Sequence, residues 1–474
     1  MIRLPVLVAT LLLVLAAPAS AREVVVRSFD GAELHASFHV AKPGKRAPTI
    51  LMTHGWGGKR DRDPDGASSA ANAGVGALRK AGFNVLTWDS RGFGESGGTV
   101  TIDYKANEGR DVKVLLNWLA RQPEARLDGK RDPRVGMHGG SYAGGIQFVA
   151  AAIDRRIDAI APSIAWHSLV TSLYRAETIK GGWSSVLYAA GQTGRLDPHI
   201  TSAFASGTAG GTLSAEDRAW FASRGPGALV KRIKVPTLIL QGTPDTLFTP
   251  SEAIDNYRIL RRKGVPLKML WFCGGHGMCS TGEGTPRHLE KRVVAWMKRY
   301  VMGKKRVRTG PGFEWLADDA KWRSAKAYPP KRGTPIVGEG SGTLLVSPLD
   351  TLSGSPIAAA PALNGVNVAI PEVTAPVVGR PSVRLTYSGT GAATHVFAQI
   401  VDEARNLVLG NQVTPIPVKL DGATHTVTRR LEGVAAAGGR YHLQLIGGSQ
   451  VYGPARGVGA ITFSAARISL PTSP

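Results

Sequence analysis

Two rhythms of apolar residues run along this chain, and the change falls near residue 303. In the first, short apolar runs alternate with amphipathic stretches. Val24 to Ser28 and Glu33 to His39 predict short strands, and Thr49 to Thr53 predicts a buried one ending at His54-Gly55-Trp56-Gly57-Gly58. Ala67 to Ala81 is helical in composition and stopped by Gly82; Asn84 to Trp88 is the next strand. Val112, Leu115, Leu116 and Leu119 recur at the spacing of one helix face. Strand Arg134 to His138, a tight turn, a helix through Ala152 and strand Ile157 to Ile164 follow. Strand Thr237 to Gln241, helix Ser251 to Lys263 (stopped by Gly264) and strand Leu267 to Phe272 complete the series. Strands alternating with helices predict an α/β class with a mostly parallel sheet covered on both faces.

The rhythm is interrupted from Trp166 to Leu229 by a Gly/Ser-rich insert carrying Trp166, Tyr174, Trp183, Tyr188 and Trp220. An insert of that length inside an α/β unit is expected to be a cap. After Met302 the helical signal stops, and a basic, Pro/Gly-rich connector leads to about Gly340. Beyond it come Thr343–Ser347, Ser382–Tyr387, His395–Ile400, Val418–Leu420, His425–Leu431, Tyr441–Ile446 and Ala460–Ser464, short alternating runs separated by turn residues. That spacing predicts an all-β sandwich or jelly roll. The expected division is therefore an α/β unit over 22–303 with its cap at 166–229, a connector at 304–340 and a β-domain at 341–474.

The first 21 residues are set apart from this. Met1-Ile2-Arg3 is a short positive start, Leu4 to Ala17 is apolar and uncharged, and Ala19-Ser20-Ala21 is a small-x-small site. The pattern is that of a secretory signal peptide cut after Ala21, which predicts a secreted or periplasmic protein; an uncleaved anchor is the alternative. No later stretch approaches 18 uninterrupted apolar residues, so no membrane span is expected. The chain has 58 Lys and Arg against 35 Asp and Glu, a formal charge of +23. Such a balance favours anionic surfaces, and association with an anionic envelope is the partner it points to. The basic runs Arg261-Arg262-Lys263 and Lys304-Lys305-Arg306 lack interleaved aromatics, so nucleic acid is not expected.

Chemistry concentrates at Gly139-Gly140-Ser141-Tyr142-Ala143-Gly144, between a strand and a helix. A serine lifted out of a sheet on a sharp turn needs small neighbours, and the helix start beneath it favours developing negative charge. A hydroxyl becomes a nucleophile when an imidazole takes its proton and a carboxylate orients that imidazole. Asp245 is the first carboxylate after strand Thr237–Gln241, and His276 lies in Gly274-Gly275-His276-Gly277 after strand Leu267–Phe272. Ser141, Asp245 and His276 thus stand in the order of a serine hydrolase triad. The glycine-flanked loop after Thr49–Thr53 points to the amides of Trp56 and Tyr142 as oxyanion donors. His54 and His138 read as structural, and Asp89 and Arg91 as braces of their turn.

Two further readings follow from the residues. Asp61-x-Asp63-x-Asp65-Gly66 opens like a calcium loop, but its twelfth position is Asn72 rather than Glu. We read it as a solvated loop that caps the next helix, with no metal and no cofactor expected. Cys273 and Cys279, the only cysteines, bracket His276, and an even pair in a secreted chain predicts a disulfide; two free buried thiols are the alternative.

Gly139-x-Ser141-Tyr142-x-Gly144, Gly242-x-x-Asp245 with Phe248 and Pro250 after it, and Gly275-His276 together resemble the Xaa-Pro dipeptidyl-peptidase and cocaine-esterase-like hydrolases. The stretch Trp322-Arg323 to Tyr328-Pro329-Pro330 and the β-rich C-terminal region, a jelly roll in that family, are similar too. The resemblance implies an α/β-hydrolase with Ser141, Asp245 and His276 as its triad. It also implies small acyl esters or amides as substrates, including peptides with proline second. Family members often take an oxyanion donor from a Tyr side chain after the early strand; His54-Gly55-Trp56 here looks instead like an ordinary esterase or lipase loop. A non-catalytic envelope-binding protein built on the β-domain and the positive charge is the reading from another class.

Overall fold

The computed structural model describes residues 21–67, 73–347, 360–453 and 457–474. All of the expected signal peptide except Ala21 lies outside the described residues, as does Asn72. Among the described residues, ten strands form one sheet: β1 (Arg22–Arg27), β2 (Glu33–His39), β3 (Thr49–Met52), β4 (Asn84–Trp88), β5 (Val135–Gly140), β6 (Ile157–Ser163), β7 (Thr237–Gly242), β8 (Leu267–Phe272), β9 (Phe313–Leu316) and β10 (Trp322–Ala325). Their spatial order is β1-β2-β4-β3-β5-β6-β7-β8-β9-β10. The seven from β4 to β9 in that order are parallel, and β1, β2 and β10 run antiparallel at the edges.

The central strands are buried along nearly their whole length, so they read as continuous apolar runs rather than alternating ones. Helices α1 (Val75–Lys80), α2 (Glu108–Leu119) and α3 (Tyr142–Ile153) cover the sheet with α8 (Pro250–Arg262) and α9 (His288–Tyr300), once the cap helices are counted in chain order. On α2 the predicted apolar face, Val112, Leu115, Leu116 and Leu119, is fully buried. The insert folds as α4 (Leu169–Leu173), α5 (Gly181–Gly191), α6 (Pro198–Gly210) and α7 (Ala215–Ala222) over the ends of β3, β5 and β7. Ser168, Asp197 and Ser214 cap three of these helices with their side chains, which explains how so glycine-rich a segment sustains them.

The C-terminal region is antiparallel throughout. Its strands are β11 (Ile336–Val346), β12 (Val366–Ala369), β13 (Val377–Gly379), β14 (Ser382–Gly391), β15 (His395–Asp402), β16 (Leu407–Pro417), β17 (His425–Arg430), β18 (Val434–Ala436), β19 (Tyr441–Ile446) and β20 (Gly459–Leu470). Two four-stranded sheets, β11-β20-β14-β17 and β12-β19-β15-β16, enclose one apolar core, and β13 pairs with β18.

Three expectations need correction. The helix expected over Ala67–Ala81 spans only Val75–Lys80; no side chain caps it, and the acidic loop caps it through backbone instead, Gly76 N donating to the Gly66 carbonyl at 3.1 Å. Val418–Leu420 is not a strand. It follows β16, whose pattern was hidden because Pro415, Pro417 and the positive-φ pair Gly410-Asn411 break the alternation. Finally, the connector is not a mere link: β9 and β10 extend the main sheet from inside it. There Phe313 stacks on Trp315 at 5.1 Å and Trp322 on His288 at 4.1 Å.

The sandwich shares its docking face with the sheet. Val378 and Ala435 join the same apolar cluster as Trp271, Phe313 and Tyr328. The buried Glu432 carboxylate pairs with Arg175 beside the cap at 3.0 Å and accepts from Ser251 Oγ on α8. Burial pushes that carboxyl up, yet Arg175 and Arg380 outweigh it and hold it below its ordinary value. Removing one partner of such a pair costs about 3–5 kcal/mol. A chain ending at Gly303 should therefore be insoluble or lose its cooperative melt, because it strips β9 from β8 and exposes this face; recovery of a soluble protein with unchanged melting temperature would refute it.

Candidate active site

Ser141 sits between β5 and α3 with φ +59° and ψ −121°, a strained backbone for a residue with a side chain. The turn closes because its neighbours are small. A Cβ on Gly139 would lie 2.7 Å from that of Ala143, and one on Gly144 would lie 2.7 Å from the Ser163 carbonyl oxygen. This is why the second small position matters more than the strict spacing of the motif. Tyr142 is held by packing: its ring meets Trp56 edge-on at 5.4 Å and Phe93 at 5.9 Å, and its hydroxyl donates to Glu108 at 3.3 Å.

Asp245 and His276 come to the same point from the loops after β7 and β8. His276 Nε2 is 2.8 Å from Ser141 Oγ, and its Nδ1 is 2.7 Å from Asp245 Oδ2. Asp245 is completely buried and accepts four hydrogen bonds. Leu247 N and Phe248 N donate to Oδ1 at 3.1 and 2.9 Å, and His276 N donates to Oδ2 at 3.1 Å beside the imidazole. With every lone pair directed, the carboxylate has one orientation. The two loops interlock so closely that only glycine fits at the crossings. A Cβ on Gly277 would lie 1.9 Å from the Pro244 carbonyl oxygen, and one on Gly242 would lie 1.9 Å from that of Gly274. Cys273 and Cys279 form a disulfide across the His276 loop.

Side chains from the cap and the sandwich hold the Asp245 loop. Lys180, at the start of α5, donates through Nζ to the carbonyls of Thr246 at 2.7 Å and Leu247 at 2.8 Å. Trp183 Nε1 donates to Thr246 Oγ1 at 2.9 Å. Gln412, on β16 of the sandwich, donates through Nε2 to the carbonyls of Thr243 at 2.8 Å and Asp245 at 3.0 Å. Lys180 is fully buried, and burial lowers its pKa to about 8. None of these five contacts is visible in the sequence motif, because they join residues 63 to 169 positions apart.

The predicted oxyanion loop lies opposite. Among the described residues, the backbone N–H groups of Trp56 and Tyr142 have no acceptor. The Trp56 indole donates to the Leu187 carbonyl of α5 at 2.8 Å and so ties this loop to the cap. His54 is structural: Ser90 N donates to its Nε2 at 3.0 Å and its Nδ1 meets the Gly55 carbonyl at 2.7 Å. Burial lowers its pKa and keeps it neutral. His138 Nδ1 meets the Ala161 carbonyl at 2.8 Å inside the sheet. Asp89 is braced by Arg60, and Arg91 by Asp30 and Asp111. Asp63 N and Asp65 N each donate to the preceding aspartate of the acidic loop, at 2.9 Å.

A cavity of about 100 Å³ opens above Ser141, beneath the cap. Trp166, Leu187, Tyr188, Phe204, Phe221 and Phe248 are among its walls, and none of the lining residues is charged. Tyr188 stacks on Phe204 at 4.0 Å. Trp183 lies on cap helix α5 as expected but does not line the cavity; it meets the His276 ring edge-on at 6.0 Å. Asp103 and Glu108 are buried behind Tyr142 and do not line the cavity. Burial raises the pKa of both, and each carboxyl lacks a paired cation.

A parallel sheet with a serine elbow, and an acid loop and a histidine loop at its C-terminal edge, defines an α/β-hydrolase, a serine hydrolase in class. The sequence model of the X-Pro dipeptidyl-peptidase (S15 family) matches residues 30–278, over half of the chain, and the protein belongs to that family. Among solved structures, an α-amino acid ester hydrolase superposes with a TM-score of 0.72 at 14% identity, covering 95% of this chain and 96% of that one. An aminopeptidase from a marine sediment Thaumarchaeota archaeon gives 0.69 at 13% identity, with 95% and 96% covered. A CocE/NonD family hydrolase from Staphylococcus aureus gives 0.65 at 14%, with 95% and 93% covered. These similarities carry the whole two-part fold. An uncharacterized 31.7 kDa Escherichia coli protein is 32% identical over 130 residues, 27% of this chain, and the chain spans 41% of that relative's length.

Two outcomes follow from the loop geometry. Gln412→Met keeps the volume but removes both donors; we expect kcat to fall about tenfold with KM within about twofold, since a small displacement of a positioned base costs rate rather than binding. An unchanged kcat would show that the sandwich merely packs here. Reducing the disulfide should cost only about 2 kcal/mol on the chain-entropy estimate. Turnover should fall more steeply than melting temperature, a comparison made by assay and calorimetry with and without reductant.

Proposed function

We propose that Ser141, His276 and Asp245 act as a catalytic triad that hydrolyses esters of uncharged, apolar acyl groups. The hydrogen-bond chain from Asp245 through His276 to Ser141, opening into an uncharged cavity, is the observation that carries this reading. His276 Nε2 takes the hydroxyl proton as Ser141 Oγ attacks the acyl carbonyl. The carbonyl π electrons move to oxygen, where the amides of Trp56 and Tyr142 receive the charge. Collapse of the adduct expels the alcohol, which leaves with the proton from His276, and the acyl group remains on Ser141. Water activated by the same imidazole then releases the acid.

The acyl class follows from the walls. Burying an apolar group there gains about 25 cal/mol per Å² removed from water, whereas a charged group entering unpaired would lose its hydration. Two of the similar structures are named for an α-amino acid ester and for aminopeptidase activity. A free α-ammonium needs an acceptor in reach, and no carboxylate lines this cavity. Peptide cleavage after proline is therefore the second reading, resting on the family description alone. The leader-like start supports a mature protein outside the cytoplasm, cut after Ala21.

A fluorophosphonate probe should label the wild type and not Ser141→Ala, and the variant should keep its fold while losing at least about a thousandfold in kcat/KM. Across a p-nitrophenyl ester series, kcat/KM should rise with apolar acyl length and exceed that of amino-acyl esters. Faster turnover of glycyl-prolyl anilides than of any ester would reverse the substrate assignment while leaving the triad standing.

A further inference from the structure

The charge of this protein is distributed in depth, and the sheet direction shows how. Ser141, Asp245 and His276 all follow the C-terminal ends of parallel strands. The segments that lead into the seven parallel strands emerge on the opposite face. These segments, 40–48, 79–83, 120–134, 154–156, 231–236, 261–266 and 298–312, hold 24 of the 58 Lys and Arg and only four of the 35 Asp and Glu. Three of those four acids are already spent in ion pairs, Glu124 with Arg22, Asp128 with Arg134 and Asp154 with Arg156. Lys231, Arg232, Lys304 and Lys305 are exposed, and among the described residues none has a carboxylate partner. Most of the excess charge therefore lies on the face away from the candidate active site.

Helix C-termini attract cations, but that effect is confined to the last turn. It does not reach Lys42, Lys45 and Arg46, which link two strands, or Lys130 and Arg131, which sit in a hairpin. We propose that this face is a docking surface for an anionic phospholipid bilayer, with the cavity directed away from it into water. Seven strands about 4.8 Å apart make the basic face roughly 29 Å wide, a broad two-dimensional area rather than a groove that tracks one phosphate backbone. Its rings are not freely presented: Phe83 is fully buried and Tyr300 is partly buried against Trp296, which leaves no fully exposed ring for base stacking. Leu127, 37% exposed, is its large apolar residue, so adsorption is electrostatic and not insertion.

The test is sedimentation of the mature protein, residues 22–474, with vesicles. Phosphatidylglycerol-containing vesicles should bind it at about 0.05 M salt and release it near 0.5 M, and pure phosphatidylcholine vesicles should not bind it. The fourfold variant Lys231→Glu, Arg232→Glu, Lys304→Glu, Lys305→Glu should lose more than about 100-fold in vesicle affinity, with unchanged melting temperature and fluorophosphonate labelling. Three results would overturn the proposal: no binding to anionic vesicles at low salt, equal binding by the variant, or displacement from vesicles by duplex DNA at matched phosphate concentration, which would assign the face to nucleic acid.

Discussion

The carbonyls of the Asp245 loop bind this structure together. A loop that carries a buried carboxylate must satisfy its own backbone as well, since each stranded polar group costs about 1–3 kcal/mol. Here the loop's N–H groups turn inward to Asp245 itself, and its carbonyls face outward. The acceptors at Thr243, Asp245, Thr246 and Leu247 are met by Gln412 from the sandwich and Lys180 from the cap. Three separate parts of the chain therefore converge on one short segment, and none can be removed without stranding part of it.

The same economy appears at the nucleophile. Ser141 is held at a positive φ that costs on the order of 1–3 kcal/mol, and the surrounding packing supports it. Ala143 and Gly144 fill the space under the turn, while Trp56, Phe93 and Tyr142 form an edge-to-face cluster beside it. Trp56 has two duties, its backbone at the candidate oxyanion site and its indole on the cap. The cap and that site are thereby tied together through one residue.

Charge is partitioned as sharply as packing. The cavity walls carry none, the buried ions at Glu432, Arg175 and Lys180 are gathered where cap, sheet and sandwich meet, and the surplus cations face the other way. Such a distribution separates most of the surplus cations from the candidate site by the length of the strands, which at about 3.3 Å per residue exceeds a Debye length of about 8 Å.

Periodicity and motif chemistry alone established the α/β alternation, the all-β C-terminal region, and Ser141, Asp245 and His276 as partners. Each of these is local: a buried parallel strand is a continuous apolar run, and a serine elbow needs small residues within three positions. Tertiary structure decided what depends on distant pairing. Strands β9 and β10 were hidden in a basic, proline-rich stretch because their stability comes from lying beside β8, not from their own pattern. Gln412 and Lys180 carry no motif, since an amide and an ammonium become positioning groups only when another module brings carbonyls within 3 Å. The net charge of +23 was plain in the composition. Its confinement to one face was not, because strand direction in a parallel sheet, a property of the assembled fold, sends every inbound loop to the same side.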